Sequence, residues 1–325
     1  MRISLITPAA PHARNGNRNT ATRWARMLRS LGHRVDIEQD WSGGRPELMI
    51  ALHARRSADS IARYAETFPE RPLVVVLTGT DLYRDIRSDH SAQRSLELAT
   101  RLVVLQDRGL KELPASLRSK TRVIYQSARS IQRARPLASS YEIVVSGHLR
   151  PEKDPFRAAA ALGLLPASSR VRVTHIGGAL SKAMEREARA WMKREPRYRW
   201  LKEVPRWRAL QILARSRLMI VSSLMEGGAN VICESLAAGV PVIASRISGN
   251  VGMLGVAYPG YYAVGNERAL AHLISRAERN ERYYRALESA CANRAPLVLP
   301  EREKAALEAL IAELTVRPGR ARAAA

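Results

Sequence analysis

Short apolar runs alternate with helical repeats along the first part of the chain. Residues 2–7, 48–52, 73–77, 102–105 and 122–125 are mostly apolar and bounded by polar or turn residues, which predicts five strands. Between the first two, Trp24, Met27, Leu28 and Leu31 recur at helical spacing, so a helix is expected over about 17–31, stopped by Gly32. Further helical stretches fall at 58–67 and 92–100. Strands that alternate with helices make parallel βαβ units.

The pattern breaks between residues 127 and 140 into an Arg-rich segment with Pro136 and no apolar period, which reads as an interdomain linker. A second series then begins. Its strands are expected at 141–146, 171–176, 218–222 and 240–244, with helices near 156–164, 182–193, 207–214 and 230–238. A last amphipathic stretch at 301–314 carries Ala305, Leu307, Leu310, Ile311 and Leu314. The expected organisation is α/β: an N-terminal Rossmann-like domain at 1–135, a C-terminal one at 136–298, and a closing helix with a flexible tail at 299–325. Each domain is a doubly wound parallel sheet, with its ligand site at the carboxyl ends of the strands and the natural active site in the cleft between the two domains.

At 325 residues, 46% hydrophobic and 26% charged, the chain has the balance of a globular protein with a sizeable core. No apolar run nears the ~18–20 residues that span a bilayer, and the opening residues are too few for a secretory signal, so the cytoplasm is expected. Cys233 and Cys291 make no disulfide framework and no metal-ligand spacing. The net charge of +23 would ordinarily raise nucleic acid as a partner. Yet the cations are seven dispersed lysines and 46 arginines, with no zinc-finger spacing, RNP motif or basic heptad, so solvated surface is favoured and anionic substrates come next.

The strongest chemical signal is Ser222-Ser223-Leu224-Met225-Glu226-Gly227-Gly228-Ala229-Asn230, followed by Glu234 eight residues after Glu226. The paired glycines at a helix start leave N–H groups able to meet a diphosphate, favoured by the helix dipole. Glu234 lies about a turn deeper, where a carboxylate can accept hydrogen bonds from ribose hydroxyls. The assembly reads as a nucleotide-sugar site; a structural glycine turn with a solvated Glu226 is the bland alternative.

This segment resembles the E-x7-E signature of the retaining glycosyltransferases of family four, which have the GT-B fold, and the resemblance covers most of the chain. It implies two facing Rossmann-like domains, a donor held mainly by the second, an acceptor on the first, and no metal or cofactor. Glu226 would face the donor sugar and Glu234 the ribose, with Gly227, Gly228, Ala229 and Asn230 also on the donor. Residues 146–156 resemble the family's G-R-L-x-x-x-K segment, whose cations neutralise the diphosphate. Lys153 carries over. His148 stands in the arginine's place, and Arg150 is close enough to substitute for it. Gly177-Gly178, Ser248-Gly249-Asn250 and Tyr258-Pro259-Gly260 are weaker matches in the right order, and Val204 falls where members hold the base.

The first half departs more from the family. Its loop after the first strand has one glycine among Arg14, Asn15, Gly16, Asn17, Arg18 and Thr20, a set suited both to a helix cap and to an oxyanion. His53, Arg55 and Arg56 follow a later strand, and Thr78-Gly79-Thr80-Asp81 resembles a family H-G-T-D segment that has lost its histidine. A hydroxyl acceptor normally profits from an oriented base, which an anionic nucleophile does not need.

Together these motifs resemble one subgroup, the selenosugar synthases of selenoneine biosynthesis. That implies selenophosphate as acceptor, a UDP-sugar such as UDP-N-acetylglucosamine as donor, and functional coupling to a selenophosphate synthetase. Lys153, Glu226 and His53 are the catalytic candidates; Asn15, Gly16, Asn17, Arg18, Thr20, Arg55, Arg56 and Thr78 would shape the acceptor pocket. A family member using a hydroxyl acceptor is the near competitor. A noncatalytic protein that binds nucleic acid or another anionic surface is the distant one.

Overall fold

The computed structural model describes residues 1–13 and 15–315, so Arg14 and the tail expected to be flexible at 316–325 lie outside the described residues. The chain divides into two compact units. Met1–Gln126 belongs with the C-terminal helix Pro300–Thr315, and Ser127–Leu299 forms the other.

The first unit is built on a parallel sheet of β1 (Arg2–Ile6), β2 (Arg34–Glu38), β3 (Leu48–Leu52), β4 (Leu73–Leu77), β5 (Arg101–Val104) and β6 (Thr121–Val123), in the order β2-β1-β3-β4-β5-β6. Its central strands are apolar throughout because both faces are covered. On β3, Leu48, Ile50 and Leu52 enter one core with Trp24 and Leu28, while Met49 and Ala51 enter another with Ile61 and Tyr64. That alternation follows from the two-residue period of a strand. β2 was not foreseen: only Val35 and Ile37 interrupt its charged residues, as befits an edge strand with one paired side.

The second unit has β7 (Tyr141–Ser146), β8 (Val171–Ile176), β9 (Tyr198–Trp200), β10 (Leu218–Val221), β11 (Val242–Ser245) and β12 (Tyr261–Tyr262), again parallel, in the order β12-β11-β10-β7-β8-β9. The short edge strands β9 and β12 were likewise not foreseen. The segment expected as a linker has no regular structure, but it is fastened to this unit. Ile131 donates its N–H to Ala237 O at 3.2 Å, Ala134 to Ala214 O at 3.1 Å, and the Arg133 guanidinium to Ala214 O and Ser216 O. The division therefore falls at Gln126–Ser127 rather than at residue 135.

The helix Pro300–Thr315 packs on the first unit. Leu307, Leu310 and Ile311 complete the core around Trp24. Glu303 is 2% exposed; it accepts from Trp24 Nε1 at 2.7 Å and from Arg23 Nε at 2.8 Å. Glu313 pairs with Arg101 and Arg122. A buried carboxylate is tolerated only when its oxygens are satisfied, so these bonds fix where the helix sits. Replacing Glu303 by Ala should cost about 3–5 kcal/mol in urea unfolding, because Trp24 and Arg23 lose a buried acceptor. A loss below ~1 kcal/mol, the scale of a single net hydrogen bond, would mean that the leucines alone dock the helix.

Candidate functional site

In a doubly wound sheet the strands on either side of the first-laid strand diverge, and their carboxyl ends leave a crevice at that switch point. In the second unit the chain runs from β7 to β8 and β9, then returns to place β10 on the other side of β7. The loops after β7 and β10 therefore meet, and they carry the two strongest motifs.

Lys153 ends a short turn, Pro151–Lys153, that Asp154 closes in the left-handed region at φ +43°. Its Nζ donates to Glu226 Oε1, forming an ion pair between side chains that are 22% and 11% exposed. Ser223 Oγ donates to the same carboxylate oxygen at 2.5 Å. Below the pair the loops are joined: Ser222 Oγ donates to Lys153 O and Asp154 O, and Leu224 N–H to Glu152 O at 2.9 Å. On the other side, a Cβ at Gly249 would stand 1.9 Å from Glu226 O, so the helix Ser248–Leu254 can approach the glutamate only through a glycine.

Gly227, Gly228 and Ala229 are buried and lead into the helix Asn230–Ala237. Ala229 supplies no side-chain cap and the first turn has no acid, which leaves this helix start suited to an anion. Glu234, one turn in, is 14% exposed and pairs with Arg206 Nη1 at 2.7 Å. Arg206 was missed in the sequence, although it follows Val204-Pro205 directly. Val204 itself is half-buried in that connection.

The loop after β7 is held from its neighbours. Leu149 bridges to Ala179, and a Cβ at Gly177 (φ +145°) would collide with Gly147 O at 2.0 Å. His175 on β8 is fully enclosed, with Nε2 3.2 Å from Gly147 O and Nδ1 2.8 Å from Tyr198 Oη. The carbonyl can only accept, so Nε2 carries the proton and Nδ1 accepts from the tyrosine. His148 lies in this loop beside Gly178. Arg150 is half-buried, and its Nε has no hydrogen-bond partner among the described residues.

The first unit makes a comparable junction at the ends of β1, β3 and β4. Asp81, fully buried, accepts from the N–H groups of Ala54 at 3.0 Å, Thr78 at 2.9 Å and Gly79 at 2.8 Å, binding two loops to one carboxylate. His53 sits in the left-handed region at φ +75° and is 3% exposed. Its Nε2 meets Thr80 Oγ1 at 3.0 Å, its Nδ1 accepts from Arg56 N–H at 3.3 Å, and Asp85 lies 4.0 Å away. Arg55 pairs with Asp89 at 2.8 Å.

Asn15 caps the helix Gly16–Ser30 through Arg18 N–H, and that helix start, with Gly16 and Asn17, has no acid in its first turn. Thr20 is turned inward: its hydroxyl donates to Gly16 O at 2.9 Å and accepts from Gln126, so it supports the loop from within. The structure thus gathers Lys153, Glu226, Gly227 and Gly228 at one place in the second unit. Thr78 and His53 meet at another in the first. Among the described residues, no group of three His, Cys, Asp or Glu is placed to hold a metal, and no helix is long and apolar enough to cross a membrane.

The family model described as "Glycosyl transferases group 1" matches residues 129–295, just over half of the chain. No curated protein matches. Among solved structures, Alr3699/HepE of Anabaena, crystallised with UDP and glucose, superposes with a TM-score of 0.78 at 16% identity, over 96% of this chain and 100% of that one. A sucrose-phosphate synthase from Thermosynechococcus elongatus gives 0.77 at 16% identity, over 96% and 98%. S. aureus TarM, in complex with UDP, gives 0.65 at 15% identity, over 82% of this chain and 55% of that one. The two parallel six-stranded sheets are those of the GT-B fold.

Burial lowers the His175 imidazole from its ordinary 6.5 to about 4. Between those values the unfolded chain binds a proton that the folded unit does not, so stability is complete above pH 6.5 and falls as pH drops to 4, by about 3 kcal/mol. Melting temperatures measured across this window should show that slope, and His175→Gln should flatten it. An unchanged slope in the variant would assign the loss to other groups.

Proposed function

Because the chain belongs to the group 1 glycosyltransferases, we propose that it transfers a sugar from a UDP-sugar donor, with UDP-N-acetylglucosamine the leading candidate, to the selenium of selenophosphate. The observation that carries the donor half is the Lys153–Glu226 pair at the switch point, beside the uncapped start of the helix Asn230–Ala237.

In this reading the C1–O bond to UDP breaks as the C1–Se bond forms, and the electron pair leaves with the diphosphate. Charge develops on that diphosphate in the transition state, so a cation already in place contributes most there. Lys153 is such a cation, held by Glu226, whose carboxylate Ser223 in turn orients. Arg150 adds a second, and the N–H groups at Gly227 and Gly228 meet the phosphoryl oxygens. No metal is called on. Glu234, set by Arg206, accepts from the ribose hydroxyls, and Glu226 faces the sugar. Val204 lies against the base. Water then cleaves the Se–P bond to release phosphate and the selenosugar.

Support for selenophosphate comes from the first unit. Its selenium is anionic near neutral pH and needs no strong base, while its phosphoryl oxygens need donors. The acid-free start of the helix Gly16–Ser30, with Arg18, offers them at the end of β1. The second reading, a hydroxyl acceptor, is favoured by His53, an imidazole oriented by Thr80 near Asp85.

An anaerobic reaction of the protein, UDP-N-acetylglucosamine and selenophosphate, followed by mass spectrometry, separates the two. The selenium isotope pattern on the sugar, retained in EDTA and lowered roughly 10²–10³-fold in Lys153→Ala, is the expected result. UDP release without selenium in the product would transfer the proposal to hydroxyl acceptors. In calorimetry Glu234→Ala should weaken UDP at least tenfold, about 1.4 kcal/mol; unchanged affinity would remove its ribose role.

A further inference from the structure

The helix Arg206–Arg215 and the strands β8 and β9 form a half-open surface pocket of about 180 Å³ in the second unit, lined by the exposed Arg199, Arg208 and Arg215. The sequence places them there by simple periodicity. Arg208, Gln211 and Arg215 stand three and seven residues apart and so share one helical face. Arg199 is the middle residue of β9, in register with Thr174 of β8, and its neighbours Tyr198 and Trp200 turn into the core on the other side. Leu201 and Ile212 form the apolar wall, while Gln211 and Thr174 add an amide and a hydroxyl.

No carboxylate lines this pocket. Some arginines of the unit are met by acids: Arg197 by Glu195 at 2.7 Å, Arg157 by Asp154 at 2.8 Å, and Arg206, on the same helix, by Glu234 at 2.7 Å. Among the described residues Arg199, Arg208 and Arg215 have no such partner. Like charges gathered without a counter-charge repel, and an anion placed between them removes that cost. Guanidinium forks match phosphoryl oxygens in pairs, where a lysine would offer only a point charge. The pocket is smaller than the ~300–1,000 Å³ of those that enclose drug-sized ligands, so it suits a phosphate or diphosphate group rather than a nucleotide.

We propose that Arg199, Arg208 and Arg215, with Gln211 and Thr174, form an oxyanion site that takes a phosphate or pyrophosphate group, separate from the Lys153–Glu226 pair. It does not depend on the donor reading. Inorganic pyrophosphate is the probe, titrated calorimetrically into Lys153→Ala protein, in which the proposed donor site has lost its paired cation, and into the same protein carrying Arg208→Gln and Arg215→Gln. The arginine substitutions should weaken binding at least tenfold, and glycerol phosphate in place of pyrophosphate tells a free anion from a phosphate ester. Equal affinity in the two proteins overturns the proposal. So does binding of a short single-stranded RNA with no measurable pyrophosphate affinity, which would make the arginines a nucleic-acid contact. If the double variant does not fold, Arg199→Gln, on an exposed edge position, is read by the same criterion.

Discussion

Lys153 and Glu226 are 73 residues apart in sequence, yet their charges are paired in a partly enclosed place where neither could stand alone. Charges withdrawn from water must be matched, and removing one partner of such a pair leaves the other uncompensated, at a cost of ~3–5 kcal/mol for fully buried cases. Much of the second unit's local structure serves that match. Ser223 donates to the glutamate, Ser222 ties the lysine's backbone to the neighbouring loop, and Gly249 lets a helix lie against Glu226 O. The left-handed Asp154 turns the chain immediately after the lysine.

The two units solve the same topological problem with different chemistry. Each brings two loops together at the carboxyl ends of parallel strands, where backbone N–H groups lack sheet partners. In the first, Asp81 takes those N–H groups onto one buried carboxylate and leaves a closed, rigid junction. In the second, the Glu226 carboxylate takes a lysine and a serine instead, and the nearby helix start keeps its N–H groups without a side-chain cap. The first junction binds loops to a carboxylate, and the second binds a carboxylate to a cation.

A net charge of +23 is compatible with a packed fold because the acids are spent where they matter most. Glu303 and Glu313 seat the C-terminal helix against Arg23, Arg101 and Arg122; Glu195 and Glu267 restrain Arg197 and Arg157. Surface pairs of this kind add little singly. Where the acid is buried, as Glu303 is, the pair fixes its arginine in place.

The sequence alone determined the alternation of strand and helix, because central strands covered on both faces must be apolar throughout and their interleaved helices must keep a 3.6-residue period. It also singled out Lys153, Glu226, Gly227, Gly228 and Glu234 by their motifs, of which the fold pairs Lys153 with Glu226. Edge strands β2, β9 and β12 escaped it because a strand paired on one side needs little apolar content. Only the tertiary structure showed that residues 127–140 fasten to the second unit and that the last helix returns to the first, since both depend on hydrogen bonds to residues far along the chain. It alone joined Arg206 to Glu234 and turned the Thr20 hydroxyl inward. Periodicity assigns a residue to a face; which partner that face meets is decided by sheet order, through crossovers that no local pattern encodes.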